Sequence, residues 1–153
     1  MLASRVGGFV LNKIIFGFLA GALGVFIFHQ LTIYGLLGRT PWSNWAPVAP
    51  YGVPAMFNTA FWGGVWGVVL AVVVSLFPGL FPRRPLFGIL YFVAAFLFGA
   101  VFPTLVGWYV GPLIKGSAIG PRGVWTNALI INGMWGLGTA LFLNLLSNRR
   151  LRP

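Results

Sequence analysis

The chain has 153 residues, 59% of them hydrophobic and 7% charged, with ten lysines and arginines, no aspartate, no glutamate and no cysteine. These absences exclude carboxylate acid–base catalysis, carboxylate-bound hard metals, disulfides and thiolate metal sites. A mean hydropathy of +0.94 excludes a soluble domain, whose surface so few charges could not cover, and leaves an integral membrane protein.

Arg5 and Lys13 precede a first apolar stretch from about Ile14 to Tyr34, close to the ~20 residues that cross a bilayer core as a helix. The run continues past Ala20-Gly21-Ala22, so it reads as a retained membrane helix rather than a cleaved signal peptide. Gly17, Gly21 and Gly24 recur at helical spacing and form a packing face. Late in this helix stands His29, the single histidine. As an intramembrane ionisable group it is a candidate haem or pigment ligand or proton acceptor; as a structural group it is a neutral imidazole bonded to a loop carbonyl. One histidine cannot build a protein-only metal site, so no metal centre is expected.

Thr40 to Pro54 carries four prolines, which forbid a regular helix, together with Trp42, Trp45 and Tyr51 at headgroup level. A second helix is predicted from about Phe57 to Phe77, capped by Asn58, with Gly64, Gly67, Ala71 and Ser75 along one face. Arg83 and Arg84 mark a turn. The third helix runs from about Leu86 to Trp108, and a second loop, from Pro103 to Arg122, holds Trp108, Tyr109, Pro112, Lys115 and Pro121. The fourth helix runs from about Trp125 to Leu146, capped by Asn127, with Asn132 and Thr139 placed for hydrogen bonds between helices.

Asn58 to Ala71 (NTAFWGGVWGVVLA) and Asn127 to Ala140 (NALIINGMWGLGTA) match without gaps at Asn, Gly, Trp, Gly and Ala. This pattern suggests an internal repeat, 1–77 against 78–148, with Phe16-Gly17 corresponding to Phe87-Gly88. The expected fold is all-α, with four transmembrane helices arranged as two parallel-repeat hairpins in one domain. Gly133 and Gly136 repeat the stripe of Gly64 and Gly67, so helices one, two and four are expected to meet along small residues. Trp66 and Trp135 lie two positions from Gly64 and Gly133, about 200° around a helix. They are expected either to fill gaps against helix three or lipid, or to face an apolar partner: another subunit, a quinone, a carotenoid, a chlorophyll-type pigment or a lipid tail.

Seven cations fall on the side of the termini and three (Arg39, Lys115, Arg122) on the other, which predicts both termini in the cytoplasm. The basic balance lacks the aromatic–basic interleaving of a nucleic-acid binder, so anionic phospholipids are the expected counter-charge, along with acidic loops of other membrane subunits. The segment from about Ile14 to Val72, through GFLAG, FHQ, YGVP and FWGGVWG, resembles small inner-membrane proteins of proteobacteria. The resemblance implies a four-helix bacterial membrane protein and no particular activity.

No nucleophile has an identifiable base, and His29 has no carboxylate to orient it, so the chain is not expected to be an enzyme. The expected role is a non-catalytic accessory or structural subunit of a larger membrane complex, of respiratory or photosynthetic type. The alternative is a small homo-oligomeric transporter or channel for a lipid or an anion.

Overall fold

The computed structural model describes residues 2–77, 85–114, 116–121 and 123–148. Arg83, Arg84, Lys115, Arg122 and the tail arginines lie outside the described residues, so the charge asymmetry read from them stands on the sequence alone. Helix α1 (Leu2–Gly24) passes through a π-helical turn (Val25–His29) into α2 (Gln30–Leu37). Two short strands, β1 (Pro47–Val48) and β2 (Val53–Pro54), precede α3 (Ala55–Leu76). After α4 (Pro85–Leu105), a second π turn (Val106–Val110) leads into α5 (Gly111–Ile114), and α6 (Trp125–Asn148) completes the described chain.

Four continuous helical stretches are long and apolar enough to cross a membrane: Leu11–Leu37, Ala55–Leu76, Gly88–Ile114 and Trp125–Leu146. The protein is therefore an all-α protein of multi-pass membrane type. The first and third spans have 27 residues each, roughly 40 Å of helix, longer than the sequence suggested. Pro103, Trp108, Tyr109 and Pro112 belong to the third span and not to a loop. Prolines 103 and 112 flank the second π turn, where the hydrogen-bond ladder is already shifted, which is where a residue without an N–H disturbs a helix least. The first span ends at Gly38, whose left-handed backbone (φ 62°) lets its N–H reach the Tyr34 carbonyl at 2.9 Å.

Two antiparallel helix pairs form the bundle, and each is closed by backbone contact through small residues. In the first pair a Cβ on Gly21 would meet the Gly63 carbonyl and come within 2.9 Å of Gly67 Cα, while Gly64 lies under the Phe18 ring. The second pair repeats this arrangement: a Cβ on Gly99 would meet the Asn132 carbonyl and come within 3.0 Å of Gly136 Cα, with Gly133 under Phe96. In sequence the corresponding pieces are GFLAGA (17–22) and AFLFGA (95–100), not Phe16-Gly17 and Phe87-Gly88. In lipid the hydrophobic effect does not drive helices together, and close van der Waals contact of this kind is what holds them.

The small-residue face of α6 therefore packs on α4, not on α1 as its resemblance to the α3 stripe suggested. The opposite face of α6 meets α1. There Trp135, 2% exposed, donates its indole Nε1–H to the Gly21 carbonyl at 2.9 Å, and Gly138 lies against Phe28. Gly24 faces this interface, because a Cβ on it would stand 2.6 Å from Thr139 Oγ1. Between α3 and α4 the contact passes instead through large side chains, with Trp66 edge-on to Phe98 at 6.0 Å between centroids. Tyr91, 1% exposed, donates to the Ala140 carbonyl at 3.1 Å and ties α4 to α6 near their other end.

The polar residues of α6 behave differently from one another. Asn132 donates to Thr104 Oγ1 on α4 at 2.8 Å, the expected bond between helices. Thr139 is fully buried and bonds within its own helix, to the Trp135 carbonyl at 2.8 Å.

Candidate functional site

A polar concavity lies where α1 and α2 meet the 38–46 segment and the first turns of α3. It is a cleft of about 110 Å³, lined by His29, Gln30, Arg39, Thr40, Ser43, Asn44 and Thr59, with Ile33, Ala55 and Met56 as its apolar part. A volume of that order holds three or four waters at ~30 Å³ each.

The cleft is shaped by the first π turn. In a regular α-helix the Gln30 N–H would bond the Phe26 carbonyl; here it is shared between the carbonyls of Ile27 and Val25. The released Phe26 carbonyl accepts the Trp42 indole Nε1–H at 2.7 Å. Trp42 also donates its backbone N–H to Gln30 Oε1 at 3.2 Å, and it is the one non-glycine among the described residues with positive φ, 55°. That left-handed conformation costs roughly 1–3 kcal/mol and persists because the two bonds over-determine it. Trp45 Nε1 donates to the Trp42 carbonyl at 2.7 Å and its ring meets Phe57 edge-on at 5.4 Å, which fixes the segment to α3 as well.

The loop also supplies the cap of α3. The Ala55 and Met56 N–H groups donate to the carbonyls of Ala46 (2.9 Å) and Asn44 (3.2 Å). Pro54 stands at the N-cap with no side-chain bond, and Asn58 lies inside the first turn, so the predicted asparagine cap is not used. Asn127 likewise sits within the first turn of α6, its N–H bonded to the Val124 carbonyl at 3.1 Å. Backbone carbonyls do the work assigned to those side chains.

His29 ends the π turn and is half-buried on the cleft wall. Its Nδ1 stands 3.5 Å from Gln30 Nε2, a long contact with a neighbouring amide rather than the loop carbonyl expected for it. Trp66 is half-buried against Phe98, and Trp135 is enclosed by the bundle, so of the two tryptophans only Trp66 retains an outward part. Asn44 and Thr59 are cleft residues the sequence did not single out, and Arg39 stood out there only as an outer cation. FHQ contained one signal, Gln30 beside His29, whereas the proximity of Asn44 and Thr59 depends on the fold of the loop.

Trp42→Phe is expected to remove the bond to Phe26 while keeping most of the ring contact. The cost should be about 1 kcal/mol, with faster hydrogen exchange across residues 38–46 and unchanged protection in α6. Unchanged exchange in that segment would mean the indole does not anchor it.

No protein-family model matches the chain, and neither the curated proteins nor the solved structures include a significant match to it.

Proposed function

We propose that the protein is a non-catalytic accessory subunit of a larger complex in a bacterial inner membrane, respiratory or photosynthetic in type, with both termini in the cytoplasm. The observation that carries this reading is an aromatic strip on the outside of α3. Phe57, Phe61 and Trp62 are 50%, 54% and 54% exposed. Edge-on contacts link Phe61 to Trp62 at 5.7 Å and to Phe18 at 5.9 Å, and Phe57 to Trp45 at 5.4 Å.

Trp62 lies about 10 Å along α3, deeper than the interfacial belt that tryptophan usually occupies in a membrane. Aromatic side chains are enriched at protein interfaces, where they offer large rigid area. The bundle interior is engaged with itself through glycine backbones and Trp135, so a neighbour meets the outer faces. Ten cations without a carboxylate also draw counter-charge from outside, from anionic phospholipids or acidic loops of adjoining subunits.

Purification from native membranes in mild detergent tests this. The chain is expected to migrate with other membrane subunits, and the double variant Phe61→Ala/Trp62→Ala to lose them while melting within about 1 kcal/mol of wild type, as outward-facing substitutions do. Migration always alone, at monomer or homodimer size, would overturn the proposal. The polar cleft favours a second reading, a homo-oligomeric transporter or channel for a lipid or an anion. The close-packed interior would put its path between copies, and absence of flux in proteoliposomes would remove it.

A further inference from the structure

We propose that the cleft around Arg39 binds a phosphate group, the shared chemistry of a phospholipid headgroup and of free inorganic phosphate. Arg39 follows the end of the first span at Leu37 by two residues, close to where a helix of that length leaves the hydrocarbon and phospholipid headgroups begin. Its guanidinium has no carboxylate to pair with anywhere in the sequence. A planar fork of N–H donors matches the geometry of phosphate oxygens.

The neighbouring groups complete a donor set. Ser43 and Thr59 have committed their hydroxyl protons, to the carbonyls of Thr40 (2.7 Å) and Ala55 (2.8 Å). Among the described residues no intramolecular hydrogen bond engages the Arg39 guanidinium, the Thr40 hydroxyl or the Asn44 side-chain amide, all of which line the cleft. His29 adds a ring nitrogen on the same wall. One guanidinium, one hydroxyl and one amide, all exposed, line a cleft of about 110 Å³ with room for a tetrahedral oxyanion, and the sequence holds no anionic side chain to repel it. The Trp42 anchor fixes the backbone segment that carries Thr40, Ser43 and Asn44, which limits how much chain a ligand must order.

The test uses the whole chain in detergent, with short-chain phosphatidylglycerol in one arm and inorganic phosphate in the other, and chloride at equal ionic strength as reference. Native mass spectrometry counts bound lipid, and thermal shift reads both ligands. Wild type is expected to bind one phosphate-bearing ligand per chain, and Arg39→Gln to weaken binding about tenfold or more, as loss of a charge-assisted pair does. Asn44→Ala is expected to weaken it several-fold, and Lys13→Gln, which removes a cation at the other end of the first span, to leave it unchanged. Binding in the lipid arm alone names a headgroup as the ligand, and binding in the phosphate arm names the free anion. Arg39→Lys keeps the charge without the fork, so intermediate binding separates recognition from folding defects. Two results would overturn the site: no shift in either arm, or equal weakening by Arg39→Gln and Lys13→Gln. Neither depends on whether the chain copurifies with other subunits.

Discussion

Gly21→Val and Gly99→Val are expected to be among the most damaging single substitutions in the two helix pairs, each costing at least about 3 kcal/mol or preventing the pair from closing. At Gly21 the added Cβ runs into the Gly63 carbonyl and stands 2.9 Å from both Gly63 C and Gly67 Cα; at Gly99 it runs into the Asn132 carbonyl and stands 3.0 Å from Gly136 Cα. Everything it meets is backbone, so no side chain can rotate away and whole helices must separate. Dispersion falls steeply once contacting atoms part by even 0.5–1 Å, and in lipid no hydrophobic term compensates. Gly35→Val and Gly107→Val are the controls, because nothing lies within 4 Å of a Cβ at either position. Titration of the folded protein in micelles with a denaturing detergent, followed by circular dichroism and tryptophan fluorescence, gives the comparison. Equal stability of Gly21→Val and Gly35→Val would refute the backbone-contact account of this bundle.

Gly64→Ala in the first pair and Gly133→Ala in the second should be milder. There the new methyl meets rings, Phe18 and Phe96, each at 2.6 Å from the ring edge. A ring can tilt where a carbonyl cannot.

The four spans and their glycine stripes were legible because length, hydropathy and spacing are local properties of the chain. Which stripe meets which was not. NTAFWGG and NALIING share a register, so Gly133 and Gly136 read like Gly64 and Gly67, yet their partner is the α4 segment AFLFGA rather than α1. The piece of α1 equivalent to that segment is GFLAGA, and a single gapless alignment of the halves does not reach it, because the two loops differ in length and composition. The π turn at Val25–His29 has no sequence signature, and it alone frees the Phe26 carbonyl that binds Trp42. His29 was visible as the one histidine, but the cleft around it is assembled by residues up to 30 positions away, including Asn44 and Thr59.

Trp135→Ala is expected to cost about 3–5 kcal/mol, and Trp135→Phe about 1–2 kcal/mol. The indole is 2% exposed and occupies the space where α1, α3 and α6 come together, with its Nε1 on the Gly21 carbonyl at 2.9 Å and 3.2 Å from where a Gly63 Cβ would stand. Two contributions can be separated. Bonds between helices in membranes average about 0.6 kcal/mol and reach about 1.7, so phenylalanine, which keeps most of the volume, loses mainly that. Alanine also opens a void beside helices that glycine contacts hold rigidly at Gly17, Gly21 and Gly67, so little collapse can refill it. Trp66→Ala supplies the contrast, because Trp66 is half-buried at the looser α3–α4 contact and its loss exposes Phe98 to lipid rather than an empty cavity. The sequence treated the two tryptophans as equivalent members of a repeat; their energetic difference follows from Trp135 facing α1 and Trp66 facing α4. Equal destabilisation by Trp66→Ala and Trp135→Ala, measured in the same micelles, would place the packing centre of the bundle elsewhere.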